Sequence, residues 1–197
     1  TEHEFREINH QGLRPSFVLE PFGRNTAAAV AAAALQVQQT HGDDAVMLVL
    51  AADHLVQDQP AFAAAVARAQ ELPRQGLLVT FGIQPDAPET CYGYIEADGE
   101  RVVRFVEKPT HEKACEYLAS GRYSWNSGMF CFTAGAILRE MQTHCPAIVQ
   151  AVRDCLEQSI SATGKGFAQL QLDPDTFAQV PDDSIDYEKI EKSQTIA

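Results

Sequence analysis

Ala45-Val46-Met47-Leu48-Val49-Leu50-Ala51-Ala52 is a run of eight apolar residues closed by Asp53-His54. A strand with one wet face alternates apolar and polar side chains. A run without alternation suits a strand covered on both faces, as in a parallel sheet. The flanking segments fit the same arrangement. Ser16 to Glu20 is a short apolar strand, and Pro21-Phe22-Gly23 turns the chain. Asn25 or Thr26 can cap an alanine-rich helix to about Gln39, with Gly42 after it. Pro60 suits the first position of another helix, in which Phe62, Val66, Ala69 and Leu72 share one side. Gly76 to Ile83 is a further buried strand. The order strand, helix, strand, helix, strand predicts a doubly wound α/β sheet. Ahead of it, residues 2 to 9 predict a short helix.

The pattern changes after Ile83. Tyr92 to Ala97 and Arg101 to Val106 flank Asp98-Gly99, a strong hairpin signal. A helix is expected from about Glu112 to Ala119, ended by Gly121, and a strand from Met129 to Phe132. Helices follow from about Ala134 to Gln142 and from Pro146 to Gln158. Ser159 to Gly166 reads as a small-residue loop, and Ser184 as the cap of a last helix to about Lys192. There is no internal repeat.

The chain has 197 residues, 45% of them hydrophobic, and a formal charge of −12. That length suits one domain, or one with an appendage. The acidic balance, with no basic cluster, argues against nucleic acid as partner but not against nucleotides, which a few local cations can hold. No apolar run approaches the roughly 20 residues that span a bilayer, so no membrane association is expected. Nor does a secretory leader open the chain. The five cysteines are odd in number and form no C-x-x-C pair; reduced thiols in a cytoplasmic protein are the simplest reading. Their spacing with the histidines supports no zinc framework.

The chemistry concentrates at Phe105-Val106-Glu107-Lys108-Pro109 and Trp125-Asn126-Ser127-Gly128-Met129-Phe130. Neighbouring side chains in a strand point to opposite faces, so Glu107 and Lys108 converge only if the strand ends or bulges, which Pro109 favours. An ammonium beside a carboxylate at a strand end suits a ligand with both phosphate and hydroxyls. Asp53 closes a buried strand where ligands bind in open α/β sheets. It reads either as a Mg²⁺ ligand or as a cap for the next loop. Arg24, Asn25 and Thr26 open a helix, whose free N–H groups favour an anion, or Asn25 simply caps it. Gly93, between Tyr92 and Tyr94, either lets a ligand approach the backbone or marks a bulge. The tyrosines would wall a sugar, or are ordinary strand residues. Trp125, Asn126 and Ser127 offer an indole, an amide and a hydroxyl to sugar hydroxyls, or form a turn. Asp182, Asp183 and Asp186 read as a solvated acidic face. No P-loop, G-x-G-x-x-G or G-x-S-x-G is present, Gly164-Lys165 lacking the rest of the first.

Together the motifs resemble the mannose-1-phosphate guanylyltransferases, especially the bacterial type often fused to a mannose-6-phosphate isomerase domain. The resemblance rests on the Glu20 to Thr26 segment, Ala51-Ala52-Asp53-His54, Phe81-Gly82-Ile83, Pro88-Glu89-Thr90 and Tyr92-Gly93-Tyr94-Ile95. It continues through the Phe105 and Trp125 segments to Ser184-Ile185-Asp186-Tyr187. It implies a Rossmann-like nucleotidyltransferase core with a mixed, mainly parallel sheet flanked by helices, plus a β-hairpin sugar-binding part. Residues 1–90 would be the nucleotide and metal half, and 91–197 the sugar-phosphate half. The implied reaction joins GTP and mannose 1-phosphate to give GDP-mannose and pyrophosphate, for polysaccharide or glycoconjugate precursors. By the family's pattern Asp53 and Lys108 would be catalytic, Asp53 holding Mg²⁺ and Lys108 meeting the sugar phosphate. Glu107 would hold sugar hydroxyls, and Glu89, Gly93 and Asn126 would line the mannose pocket. Arg24, Asn25 and Thr26 would lie beside the nucleotide. A homo-oligomer is left open.

Three departures qualify the resemblance. The family begins with a strand and a glycine-rich loop that cradles the triphosphate, and this chain starts beyond that point. The family also continues past the last helix to a further aspartate at the metal. A glycine is usual where Cys91 stands. The 197 residues are therefore expected to be part of a longer enzyme and nearly inactive alone, since even one preorganised donor can be worth about 3–4 kcal/mol. The competing expectations are a non-catalytic sugar-nucleotide-binding or regulatory homologue, and a nucleotidyltransferase for another hexose 1-phosphate.

Overall fold

The computed structural model describes residues 14–164, 166–185 and 196–197. The expected helix over 2–9, the helix after Ser184, and Asp186 and Tyr187 of the last motif lie outside the described residues. The chain forms two compact units, one of residues 1–36 with 141–185 and the other of 37–140 with 186–197. This division by compactness differs in kind from the expected halves at residue 90, which are defined by ligand.

In the second unit, β2 (Val46–Val49), β3 (Val79–Ile83), β4 (Tyr94–Asp98), β5 (Arg101–Val106) and β6 (Tyr123–Thr133) form one sheet. Its path is β2-β6-β4-β5, with β3 also paired to β6. Cys131 on β6 is opposite both Leu48 of β2 and Val79 of β3, so β6 lies between those two strands. The helix α2 (Gln59–Ala69) links β2 to β3. Asp58 caps it by accepting the Ala61 N–H at 2.9 Å, and Pro60 occupies its first turn, where a missing N–H costs nothing. Ala69, Val79 and Cys131 form a core cluster under α2 with Leu48 and Phe81. Burial pushes the Cys131 thiol pKa upward, so the thiol stays protonated.

The helix α3 (His111–Ser120) is capped by Thr110 and ends on Gly121 at φ +67°, a left-handed conformation that glycine adopts without a Cβ clash. Its Ala114 and Tyr117 pack on Tyr94 and Tyr123. Adjacent residues Ile95 and Ser124 instead line a cleft against α2. The two helices therefore cover opposite faces of this part of the sheet.

In the first unit, β1 (Ser16–Leu19) pairs in parallel with β8 (Phe167–Gln171), which pairs antiparallel with β7 (Ile160–Gly164). The helix α1 (Asn25–His41) begins here, and its Ala27, Ala28, Ala31, Ala32 and Ala34 are fully buried. Alanine costs the helix no side-chain entropy and allows close approach of its neighbours. The helix α4 (Ala134–His144) leads to α5 (Pro146–Gln158), whose Ile148, Val149, Val152 and Cys155 form one buried stripe. A short α6 (Pro174–Phe177) is capped by Asp173, whose carboxyl is held below its ordinary range by the Thr176 N–H and hydroxyl.

The mixed α/β class holds, with three corrections. Five of the six ladders among the described residues are antiparallel, so the sheet is not mainly parallel. The crossover of β2, α2 and β3 is present, since both strands oppose β6 and so run the same way. Nor is the Ala45 to Ala52 run a strand buried on both faces: β2 covers only Val46–Val49, all of them half-buried, while Leu50, Ala51 and Ala52 are exposed. Second, Ser159 to Gly166 is not a loop but most of the β7–β8 hairpin, turned at Gly166 with φ +87°. Among the described residues β7 pairs only with β8, and β8 pairs on its other side with β1, more than 140 residues earlier in the chain. Third, the sheet hairpin turns at Gly99-Glu100, with Asp98 still paired to Arg101.

Glu96 is buried on β4 and accepts from Arg104 Nε at 2.7 Å, Tyr123 Oη at 2.8 Å and Arg122 Nη2 at 2.8 Å. The Arg104 and Tyr123 hydrogen bonds hold its carboxyl below the ordinary value of 4.5. An unfolded chain binds that proton more readily, so the network stabilises the fold fully above about pH 4.5 and loses its contribution as pH falls through the lowered folded value. E96Q is expected to melt lower than the parent at pH 7 and to lose less stability between pH 5 and pH 3, measured by calorimetry across that range. Parallel pH profiles for the two proteins would contradict this.

Candidate functional site

Strand β5 stops at Val106, Pro109 is buried, and Lys108 takes φ +40°. In a regular strand Glu107 and Lys108 would point apart. The left-handed turn at Lys108 cancels that alternation and brings Lys108 Nζ to 3.3 Å from Glu107 Oε1. The expected convergence is thus present, and it comes from the backbone. Both side chains are more than half exposed, so the pair adds little to stability and is open to a ligand. Among the described residues, only Lys108 and Asn25 combine a side chain with positive φ. Such strain concentrates where function needs a fixed geometry.

Gly93 and Asn126 join this pair. Asn126 donates its backbone N–H to Gly93 O at 2.8 Å. A Cβ built on Gly93 would be 3.0 Å from Glu107 Oε2 and 3.7 Å from Asn126 Cβ. Glycine here is therefore a close-approach residue, and the carboxylate packs against bare backbone. Glu89 lies four residues upstream of Gly93 on the same loop, its backbone carbonyl accepting from Tyr94 Oη at 2.8 Å and its Oε2 from Cys91 Sγ at 3.7 Å. Gly93, Glu107, Lys108 and Asn126 thus form one surface, with Glu89 on the adjoining loop.

For two side chains left open between sugar contact and a structural role, the structure shows the structural one. Tyr94 is fully buried against Tyr117, so it walls no ligand; Tyr92 is exposed and sits edge-on to Trp125 at 5.2 Å. Ser127 is buried and already occupied, donating to Phe81 O at 2.7 Å and accepting from Met129 N at 3.1 Å. Its hydroxyl fixes the chain where Gly128 turns at φ +67°. The buried Trp125 indole N–H has no acceptor among the described residues. Asn126 Oδ1 accepts from Gly128 N, which leaves its amide hydrogens for a ligand. The role of Tyr94 was hidden in the sequence, where the tyrosine pair around Gly93 gives no sign of which ring turns inward.

Asp53 stands in the turn after β2, its side chain 91% exposed, with His54 Nε2 at 4.0 Å. The loop cap is Asp58 instead, so Asp53 is free of that task. It shares no hydrogen bond or ion pair with the Glu107–Lys108 surface among the described residues. No group of three or more acidic, histidine or cysteine side chains that could hold a metal occurs among those residues. A single open carboxylate is nevertheless a donor set that suits Mg²⁺, which keeps several waters and takes one or two carboxylates plus phosphate oxygens.

In the other unit, the start of α1 is largely occupied. Thr26 N–H is accepted by Asn25 Oδ1 at 2.9 Å and Ala27 N–H by Asp183 O at 3.2 Å, while Thr26 Oγ1 accepts from Ile185 N at 2.9 Å. Asn25 takes one of these N–H groups and Asp183 the other, so the premise that both are free for an anion does not hold. Arg24 lies over the Phe22 ring and gives Nη2 to Ala178 O at 2.7 Å, while its buried Nε has no partner among the described residues.

Comparison with known proteins places these residues in context. A nucleotidyl transferase family profile matches residues 1–167. The chain is 45% identical to a mannose-1-phosphate guanylyltransferase of Escherichia coli over 98% of its own length and 42% of that protein's. It is 48% identical to the xanthan biosynthesis protein XanB of Xanthomonas campestris, again covering 98% of this chain and 42% of the relative. It therefore spans less than half the length of these relatives. Among solved structures, one titled mannose-6-phosphate isomerase from Helicobacter pylori superposes with TM-score 0.85 and 35% identity, over 99% of this chain and 75% of that one. Another, titled mannose-1-phosphate geranyltransferase from Thermus thermophilus, gives 0.74 and 33%, over 90% and 50%.

The backbone strain at Lys108 can be measured apart from its charge. K108A and K108G both delete the ammonium, but only glycine relieves a positive φ. K108G is expected to be the more stable by about 1 kcal/mol after allowance for its greater unfolded-state entropy, or about 2–4 °C in melting temperature. Equal melting temperatures would show that the turn carries no strain.

Proposed function

The chain belongs to the nucleotidyl transferase family, and on that premise we propose that it serves a mannose-1-phosphate guanylyltransferase, transferring GMP from GTP to mannose 1-phosphate and releasing pyrophosphate. The product, GDP-mannose, would feed polysaccharide or glycoconjugate synthesis. The relatives' names support this reading, and the observation that carries it is the Glu107–Lys108 turn beside Gly93 and Asn126. It offers a cation for a phosphate next to a carboxylate and an amide for hydroxyls, on one exposed surface. The substrates and the reduced-thiol reading suit a cytoplasmic enzyme. No helix among the described residues is long and apolar enough to cross a membrane.

The chemistry follows from charge. A sugar phosphate oxygen attacks the α-phosphorus in line with the departing pyrophosphate, so the nucleophile is already ionised and needs no base. Lys108 Nζ exchanges its Glu107 partner for the sugar phosphate and offsets repulsion between two phosphates. Glu107, released, accepts from sugar hydroxyls, with the Asn126 amide as donor and Glu89 on the adjoining loop. Positioning supplies most of the rate, since two anions brought in line are a costly encounter in water. Asp53 would hold Mg²⁺, which when bound draws charge from the nucleotide phosphates. Arg24, Asn25 and Thr26 are assigned to the nucleotide on the family's pattern alone, since their hydrogen-bonding groups are largely engaged within the protein.

The test is GDP-mannose formation by the full-length protein, with glucose 1-phosphate as alternative acceptor, ATP as alternative donor, and mannose 6-phosphate isomerisation as a separate assay. K108A is expected to lower kcat/KM for mannose 1-phosphate about 10²–10³-fold while leaving the KM for GTP within about twofold. Binding of GDP-mannose without turnover would favour the regulatory homologue, and faster turnover of another hexose 1-phosphate would change the substrate.

A further inference from the structure

The loop joining β3 to β4, residues 84–93, carries Glu89 and Gly93. It has no regular secondary structure, yet it must hold Glu89 steady if that carboxylate is to read a sugar. Two hydrogen bonds tie its second half. One is the Asn126 N–H to Gly93 O at 2.8 Å, which extends the β6 ladder by one step. The other is made by a side chain: Tyr94 Oη donates to the backbone carbonyl of Glu89 at 2.8 Å, closing the loop onto the strand that follows it.

A buried tyrosine hydroxyl needs an acceptor, and any nearby carbonyl would satisfy it. Three features make this one more than a satisfied core group. The acceptor belongs to the candidate sugar-binding residue itself. The donor ring is fully buried and packs on Tyr117 at 5.5 Å, and Tyr117 stacks on Tyr123 at 4.0 Å with an interplanar angle of 16°. Tyr123 in turn is fixed by hydrogen bonds to Glu96 and Arg104. The hydroxyl is therefore the tip of a rigid column anchored in the sheet, and it is aimed at an irregular segment. A loop hung from such a point loses few conformations on binding, because the folded core has already restricted them.

We infer that Tyr94 is a positioning residue for the sugar-phosphate substrate, acting through the Glu89 carbonyl to set the loop that presents Glu89 and Gly93. The inference rests on the guanylyltransferase reading and adds a residue that touches no ligand. It also separates the two tyrosines around Gly93, Tyr94 serving the loop from below and Tyr92 remaining at the surface.

The experiment compares Y94F with Y123F in the full-length protein. Y94F keeps the ring and deletes only the donor to Glu89, whereas Y123F deletes a hydroxyl of the same column that serves Glu96. Y94F is expected to raise the KM for mannose 1-phosphate roughly fivefold to tenfold, the effect of one hydrogen bond, with the KM for GTP within about twofold of the parent. Y123F is expected to lower the melting temperature without changing the ratio of the two KM values. Replacing Tyr94 by 4-aminophenylalanine, which restores a donor, should recover the parent's KM. Equal KM changes for both substrates in Y94F, an unchanged KM for mannose 1-phosphate, no recovery by the amino analogue, or a Y94F chain that does not fold would each overturn the inference. The last outcome would make the hydroxyl a requirement of the core. Failure of the parent protein to make GDP-mannose would instead reject the functional reading.

Discussion

Strand β6 is the constraint on which its unit depends. Its eleven residues hydrogen-bond to β2, β3 and β4, and through β4 hold β5. Its interior half is apolar, with Phe130, Cys131 and Phe132 buried, while its first half carries Ser124, Trp125 and Asn126. One strand thereby fills the core and delivers Asn126 to the candidate site. The Asn126 N–H continues the β4 ladder one step to Gly93 O, and Gly93 is where the Glu107 carboxylate rests against bare backbone. A shift of β6 by one residue would turn its side chains to opposite faces and dissolve the core and the site together.

The site itself is assembled from departures from regularity. Lys108 and Gly128 have positive φ, Gly93 has no Cβ, and the hydrogen bonds of Ser127 secure the chain beside Gly128. Each departure is compensated by packing or by a hydrogen bond from a regular element. The Glu96 network and the tyrosine column tie β4, β5 and β6 to α3 next to the strand ends that carry Gly93 and Asn126. They are costly to bury unless fully satisfied, and they are satisfied, which makes that part of the sheet stiff. Exposed charges at the site and a satisfied polar core next to it are the arrangement that a phosphate-bearing ligand requires, since the charges must exchange partners while their support must not move.

Much of this is legible in the chain. The helices α2, α3 and α5 begin within a residue of their expected starts, because Asp58-Gln59-Pro60, Thr110 and Pro146 are start signals that act locally. Gly121 ends α3 as expected. Strand β5 ends ahead of Pro109 as expected. What escapes a reading of neighbours is whatever depends on a distant partner: the β7–β8 hairpin, which β1 completes, and the length of β6, whose polar first half reads as a turn until β3 and β4 are beside it. The occupied start of α1 is hidden for the same reason, its acceptor Asp183 lying at the far end of the chain.

The sequence by itself determined the α/β class, the order of most elements, the family resemblance and the candidate site residues, because composition, capping and spacing are properties of neighbours. Tertiary structure alone decided strand direction, which tyrosine faces inward, which hydroxyl is already used, and how Lys108 turns back toward Glu107. Those outcomes depend on the energy of contacts between residues far apart in the chain. An apolar run suggests a strand; only its neighbours decide how long the strand is, how far it is covered and which way it runs.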